Sequence, residues 1–248
     1  MTIHISCIVP LSPTEMKWGQ LCSSLLFLPR GSEVIFVRPT RLKPPENGRL
    51  FLLKKYYRVS WLSCKKGRAV QMNMGAKFAS GNFLWFLHAD SYFTPRAVKA
   101  LIQNIEQFPE QIHFFNLSFG SESSRLTRLN EVGANWRSQY LGIPFGDQGL
   151  CFSKKIFEKL GGFNQACTYG EDHLFIWEAK RFGIIVHSTG EVIVSSDRKY
   201  HKEGWLKTSF THIYLTCKQA LPNAIQLSTK RINHALGLQR AGTNLGSQ

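Results

Sequence analysis

Through the first half of the chain, short apolar runs alternate with stretches of helical spacing. Residues 3–9 read as a buried strand that Pro10 ends, residues 32–37 as a second, 57–62 as a third and 83–87 as a fourth. Between them, residues 14–28, 68–79 and Pro95–Gln107 carry helical patterns, the last with proline in its first turn. Residues 38–49 are rich in Pro, Arg and Lys and read as a loop. The second half is less regular. Residues 113–119 suit a strand and 124–140 a helix. Residues 154–160 suit a short helix closed by Gly161 and Gly162, and 172–182 a helix closed by Gly183, with a strand at 184–187. Strands alternating with helices predict an α/β architecture on a parallel sheet, which binds ligands beyond the carboxyl ends of its strands.

The longest unbroken apolar run, residues 83–87, is far short of the roughly 20 residues of a spanning helix. With 248 residues, 43% hydrophobic and 19% charged, the composition is globular. The formal net charge is +15 and unevenly spread. Residues 51–100 carry nine Lys and Arg against one acid, and residues 201–248 six against one. Such a field attracts nucleic acid, anionic lipid or phosphorylated small molecules, or is a solubilising surface. Nucleic acid ranks last, because no helix-turn-helix, zinc or RNA-binding signature accompanies the charge. The six cysteines show neither CxxC pairing nor zinc spacing and read as reduced core residues. Met1–His4 has no signal-peptide character, so the expected location is cytoplasmic. Residues 205–220 mix Trp205, Leu206, Phe210, Ile213 and Tyr214 with Lys207 and Lys218. They suit either a peripheral helix on the inner membrane face or a helix packed on its own domain. The division expected is one domain over 1–204 and a basic amphipathic extension over 205–248.

The chemistry starts at the fourth strand. Phe83-Leu84-Trp85-Phe86-Leu87 runs into His88-Ala89-Asp90, which delivers a carboxylate at the strand's carboxyl end. One such Asp either caps a turn before Pro95 or holds a divalent cation that shares its shell with substrate phosphates. Just upstream, Arg68 opens a helix whose small residues, Ala69, Gly75, Ala76 and Ala79, allow close approach to a sheet. The helix start favours an anion beside Arg68. Asn73 is a second polar residue on this helix, which has much surface to bury. Asp172 and Glu171 open a later helix, where acids are well held as caps or as catalytic groups.

Residues 67–91 resemble a subgroup of the family 2 glycosyltransferases, inverting enzymes of GT-A fold. The subgroup pattern G-R-A-x-Q-M-N-x-G-A-x-x-A-x-G is met from Gly67 to Gly81, and F-L-H-A-D from Phe86 to Asp90. Further blocks follow in order: Phe145-Gly146-Asp147-Gln148-Gly149, then Leu160-Gly161-Gly162-Phe163, Gly170-Glu171-Asp172, and Ser196-Asp197-Arg198-Lys199-Tyr200. The resemblance implies a GT-A-like, Rossmann-type, mostly parallel sheet flanked by helices. It implies transfer of a sugar from a nucleoside-diphosphate sugar to a glycan, lipid or other hydroxyl acceptor, with Mg or Mn as cofactor. It gives Asp90 the metal, with His88 in the first acidic position of the usual D-x-D. It makes Asp172 the general base beside Glu171. It places Asp147 and Gln148 at the acceptor or sugar pocket. Arg68 and Asn73 read as residues on the donor side, and Arg198 and Lys199 either neutralise its phosphate oxygens or form a solvated basic turn.

One block departs from the pattern. After the second strand the family shows an acidic loop whose first Asp contacts the nucleotide base, and here Val37-Arg38-Pro39-Thr40-Arg41-Leu42-Lys43 stands instead. Glu15 is a displaced candidate for the family's early N-E pair. Three readings follow. Either the donor is held differently, with Arg38 and Arg41 on phosphate, or the donor is not an ordinary nucleotide sugar, or activity is lost and the chain is a non-catalytic relative that binds a glycan, nucleotide or partner.

Overall fold

A computed structural model describes residues 2–12, 18–39, 48–120, 125–167 and 169–196, all within the first of the two units into which the chain divides, Met1–Trp205. Seven strands form one sheet: β1 (Ile5–Pro10), β2 (Glu33–Arg38), β3 (Arg58–Ser63), β4 (Phe83–Phe86), β5 (Ile112–Ser118), β6 (Cys151–Ser153) and β7 (Val186–Val194). Their order is β3-β2-β1-β4-β6-β5-β7. Only β6 runs antiparallel, against β4 and β5; the other pairs are parallel. The helices are α1 (Gly19–Leu25), α2 (Gly48–Tyr56), α3 (Arg68–Phe78), α4 (Pro95–Gln107), α5 (Arg125–Leu141), α6 (Lys154–Lys159) and α7 (Glu171–Arg181).

Side-chain alternation along the central strands builds two cores, one on each face. Ile5, Cys7 and Val9 of β1 and Phe83 and Trp85 of β4 join residues of α1, α2 and α4. Ile8, Leu84 and Phe86 point the other way, towards Ala69, Met72 and Ala76 of α3 and Phe175, Ile176 and Ala179 of α7. A sheet covered on both faces reads as nearly continuous apolar runs, which is why these strands were legible. Gly75 carries the close contact foreseen for α3: a Cβ there would sit 2.5 Å from Ile8 Cγ2. Thr94 caps α4 by accepting from the Ala97 N–H, with Pro95 in the first turn as expected.

Three elements differ from expectation. Helix α2 begins inside the supposed loop, and only Leu50 and Leu53 are buried on it, so its apolar spacing is weak. Strand β6 was not foreseen; three residues are too few to show a period. Strand β7 runs to Val194 rather than ending near 187, across Ser188, Thr189 and Gly190, where its pairing with β5 shifts register.

The strand order reverses between β1 and β4, with β2 on one side and β6 on the other. Carboxyl ends of adjacent parallel strands diverge at such a switch point and leave a crevice.

Candidate active site

A cleft of about 350 Å³ opens at this switch point, walled by Leu11 after β1, Pro39 after β2, Lys66 and Arg68 at the head of α3, and His88 and Asp90 beyond β4. The chain leaves β4 in register with β1, Leu87 N–H donating to Ile8 O, then turns as Ser91 N–H donates to His88 O. That turn sets Asp90 in the wall of the cleft.

Arg68 joins the walls. Its Nε lies 3.1 Å from Glu171 Oε1, its Nη2 lies 3.9 Å from Asp172 Oδ2, and Nη2 also contacts His88 Nε2. Strand end and helix head therefore meet at one guanidinium. Asp172 Oδ2 accepts the Gly146 N–H and Oδ1 accepts the His173 N–H. Burial alone would raise its pKa, but Arg68, these two amides and His88 hold it below the usual carboxylate range. In Glu171 burial outweighs Arg68, and its pKa is raised. Burial, reinforced by Arg68, keeps the His88 imidazole neutral at physiological pH.

Asp147 sits in the 3₁₀ turn Gly146–Gln148. Its Oδ1 is buried and has no hydrogen-bond partner. Burial pushes its pKa up to about 6; Arg137 and Arg68 pull it down, while Asp172 and Asp90 push it up. These mutual influences put Asp90, Asp147, Asp172 and Arg68 in one electrostatic neighbourhood.

Two expected ligands are turned inward instead. Gln148 is completely buried: its Nε2 donates to Phe115 O, and its Oε1 accepts from Ser138 Oγ and from the Phe145 N–H. It braces the loop from below and does not face a substrate pocket. Asn73 is spent on one main-chain unit, donating to Phe163 O and accepting from Phe163 N–H. It ties α3 to the Gly161–Phe163 turn and offers no cofactor contact. Arg38 is likewise buried, its guanidinium 5.8 Å from the Trp61 ring. Arg198, Lys199, Arg41, Glu15 and residues 205–220 lie outside the described residues.

The structure adds residues to which the sequence reading gave no role. Gln71 donates to Leu11 O and Val37 O, bolting together the two strand ends that wall the cleft. At Gly146 a Cβ would stand 2.7 Å from Asp172 Oδ2, so only glycine lets the acid reach that backbone amide. Arg137 stacks 3.6 Å over the Phe145 ring and donates to Ile143 O, holding the loop that carries Asp147. Gly146, directly before Asp147 in its motif, was the one available signal.

No group of three or more His, Cys, Asp or Glu side chains able to hold a metal occurs among the described residues. The donors fit a different arrangement: one hard carboxylate at Asp90, with the unsatisfied Asp147 oxygen nearby, suits Mg²⁺ or Mn²⁺ that draws most of its shell from phosphate and water.

Residues 50–161 match the family model of glycosyl transferase family 2, a span that includes Asp90 and Asp147 and stops before Glu171 and Asp172. No curated protein matches the chain significantly. Among solved structures, a mannosyltransferase of Pyrobaculum calidifontis in complex with GDP-Man and Mn²⁺ is similar at 16% identity and a TM-score of 0.60, over 98% of this chain and 80% of that one. TarS of S. aureus is similar at 19% identity and a TM-score of 0.53, over 79% of this chain and 35% of TarS. A shorter TarS, residues 1–349, in complex with UDP-GlcNAc gives 19% identity and a TM-score of 0.51, over 79% of this chain and 56% of that one. The chain thus spans about a third of TarS. The chain shares the GT-A fold of these solved glycosyltransferases, and the family match covers residues 50–161, a little under half of its length.

Proposed function

We propose that the chain is a metal-dependent, inverting glycosyltransferase that takes a sugar from a nucleoside-diphosphate donor to a hydroxyl acceptor. One observation carries the reading: Asp90, in the turn after β4, lines the same cleft as Arg68, and Arg68 Nη2 lies 3.9 Å from Asp172 Oδ2 at the head of α7. Asp90 would hold Mg²⁺ or Mn²⁺ with the donor diphosphate. The ion would neutralise charge that develops on the leaving group. Lys66 and Arg68 add positive charge at the same place.

Asp172 is ionised at neutral pH and oriented by the Gly146 and His173 amides, so it is set to take the acceptor hydroxyl proton. As that proton leaves, the acceptor oxygen bonds to the anomeric carbon. The carbon–oxygen bond to the diphosphate breaks from the opposite side, and its electron pair goes to the diphosphate. Neutral His88 adds no repulsion towards Lys66 and Arg68. Its contact with Arg68 steadies the guanidinium.

A second reading exchanges the acids. Asp147 has a pKa near 6 and an unsatisfied oxygen, and a base is most effective when its pKa lies near the working pH. In that case Asp172 would position the loop through Gly146.

The donor side is tested by calorimetric titration of UDP and GDP with Mn²⁺. We expect metal-dependent binding of at least one nucleotide to the wild type, and a loss of roughly tenfold or more in Asp90→Ala. Equal binding with and without metal, in both proteins, would remove Asp90 from its role.

A further inference from the structure

Helix α5 is amphipathic in the wrong sense. The residues turned to the protein are polar: Thr127 and Ser138 are buried, and Glu131 and Asn135 bond to β5. The residues turned outward are apolar: Leu129, Val132, Trp136 and Tyr140 are 62%, 66%, 55% and 74% exposed. Their spacing of three, four and four residues puts all four on one stripe of the helix.

The helix cannot roll to hide this stripe. Strand β5 pairs with β6 only at His113, so the Leu117 main chain is left to α5. Asn135 meets it at both groups, accepting Leu117 N–H at 2.7 Å and donating to Leu117 O at 2.9 Å. Glu131 accepts the Phe119 N–H, and Ser138 donates to the buried Gln148. Rotation would break every one of these bonds. The apolar stripe is therefore a built feature of the surface.

We infer that the outer face of α5 docks on an anionic lipid bilayer. Charge selects this occupant. The chain carries +15, so a second copy is repelled where an acidic membrane surface is attracted. On α5 Arg128 is exposed, and the helix's one acid, Glu131, is turned to the end of β5. Trp136 and Tyr140, with ring centroids 5.9 Å apart, are the residue types that settle at the headgroup level. An interfacial helix binds through apolar area plus attraction to anionic lipid, and α5 offers both. Arg137 of α5 stacks on Phe145, so docking would bring the Asp147 loop close to the lipid surface. The docking itself does not depend on the activity proposed above.

The test is co-sedimentation of the full chain with phosphatidylcholine vesicles, with and without phosphatidylglycerol. The wild type should bind the mixed vesicles strongly and the neutral ones weakly. Leu129→Ser/Trp136→Ser should lower the partition coefficient by about tenfold or more, with an unchanged melting curve because both side chains are exposed. Trp136→Phe keeps the apolar area and serves as a second probe. It should bind like the wild type but lose quenching of tryptophan fluorescence by brominated acyl chains. Undiminished binding of the double variant would overturn the inference and locate any lipid contact elsewhere. So would wild type that stays in the supernatant, or a dimer in sedimentation equilibrium that the double variant splits.

Discussion

At the scale of single residues, the site is a balance of three acids around Arg68, and Asp147 is the member held against its preference. The folded protein keeps a proton on it up to about pH 6, whereas an unfolded Asp loses its proton near pH 4. Between those values the native state binds more protons than the unfolded chain, so stability falls as pH rises through the window. Asp147→Asn should therefore match the wild type near pH 4. Above about pH 7 it should melt higher, by about 2–4 °C for each kcal/mol relieved. Thermal melts across this range decide it, and a difference that does not change with pH would show that burial of charge is not the cause. Residue identity was legible where charge and position agree. Arg68 at a helix start and Asp90 at a strand end are both where the sequence set them. It was not legible for Asn73 and Gln148. An amide in a motif gives no sign of whether it faces a ligand or a backbone carbonyl, and both of these face the backbone.

At the scale of elements, the site's geometry rests on how closely α3 lies against β1 and β2. Small residues in its sequence announced that packing, and Gly75 shows why it is needed, with Ile8 Cγ2 and Val37 Cγ2 in the way of any Cβ. Gly75→Ala gains intrinsic helix propensity but must push α3 off the sheet. We expect a net loss of about 1–3 kcal/mol in urea unfolding, with weaker nucleotide binding because Arg68 moves with the helix. Unchanged stability would mean that α3 can shift without cost. Strands β1, β2 and β4 were readable because both their faces are buried. Strand β6 and helix α2 were not, because β6 draws its definition from its neighbours and α2 buries only two residues. The inverted polarity of α5 was also hidden, since its inward polar residues pair with main chain from β5.

At the scale of the whole molecule, the alternation of strands and helices foretold the sheet, and the switch point between β1 and β4 follows from its order. Which distant segments meet there was carried by resemblance alone. Nothing in local spacing brings Gly146 to Asp172 across 26 positions, or Arg68 to His88 across 20. The proposed reaction requires Asp172 to remove the acceptor proton while Asp90 serves the donor. The most direct measurement is turnover of UDP- and GDP-sugars with Mn²⁺ by wild type, Asp172→Asn and Asp147→Asn. We predict wild-type turnover with at least one donor and a fall of about 10²–10⁴ in Asp172→Asn, with nucleotide binding retained. Absence of turnover with every donor, an Asp172→Asn enzyme as fast as wild type, or silencing by Asp147→Asn alone would contradict it.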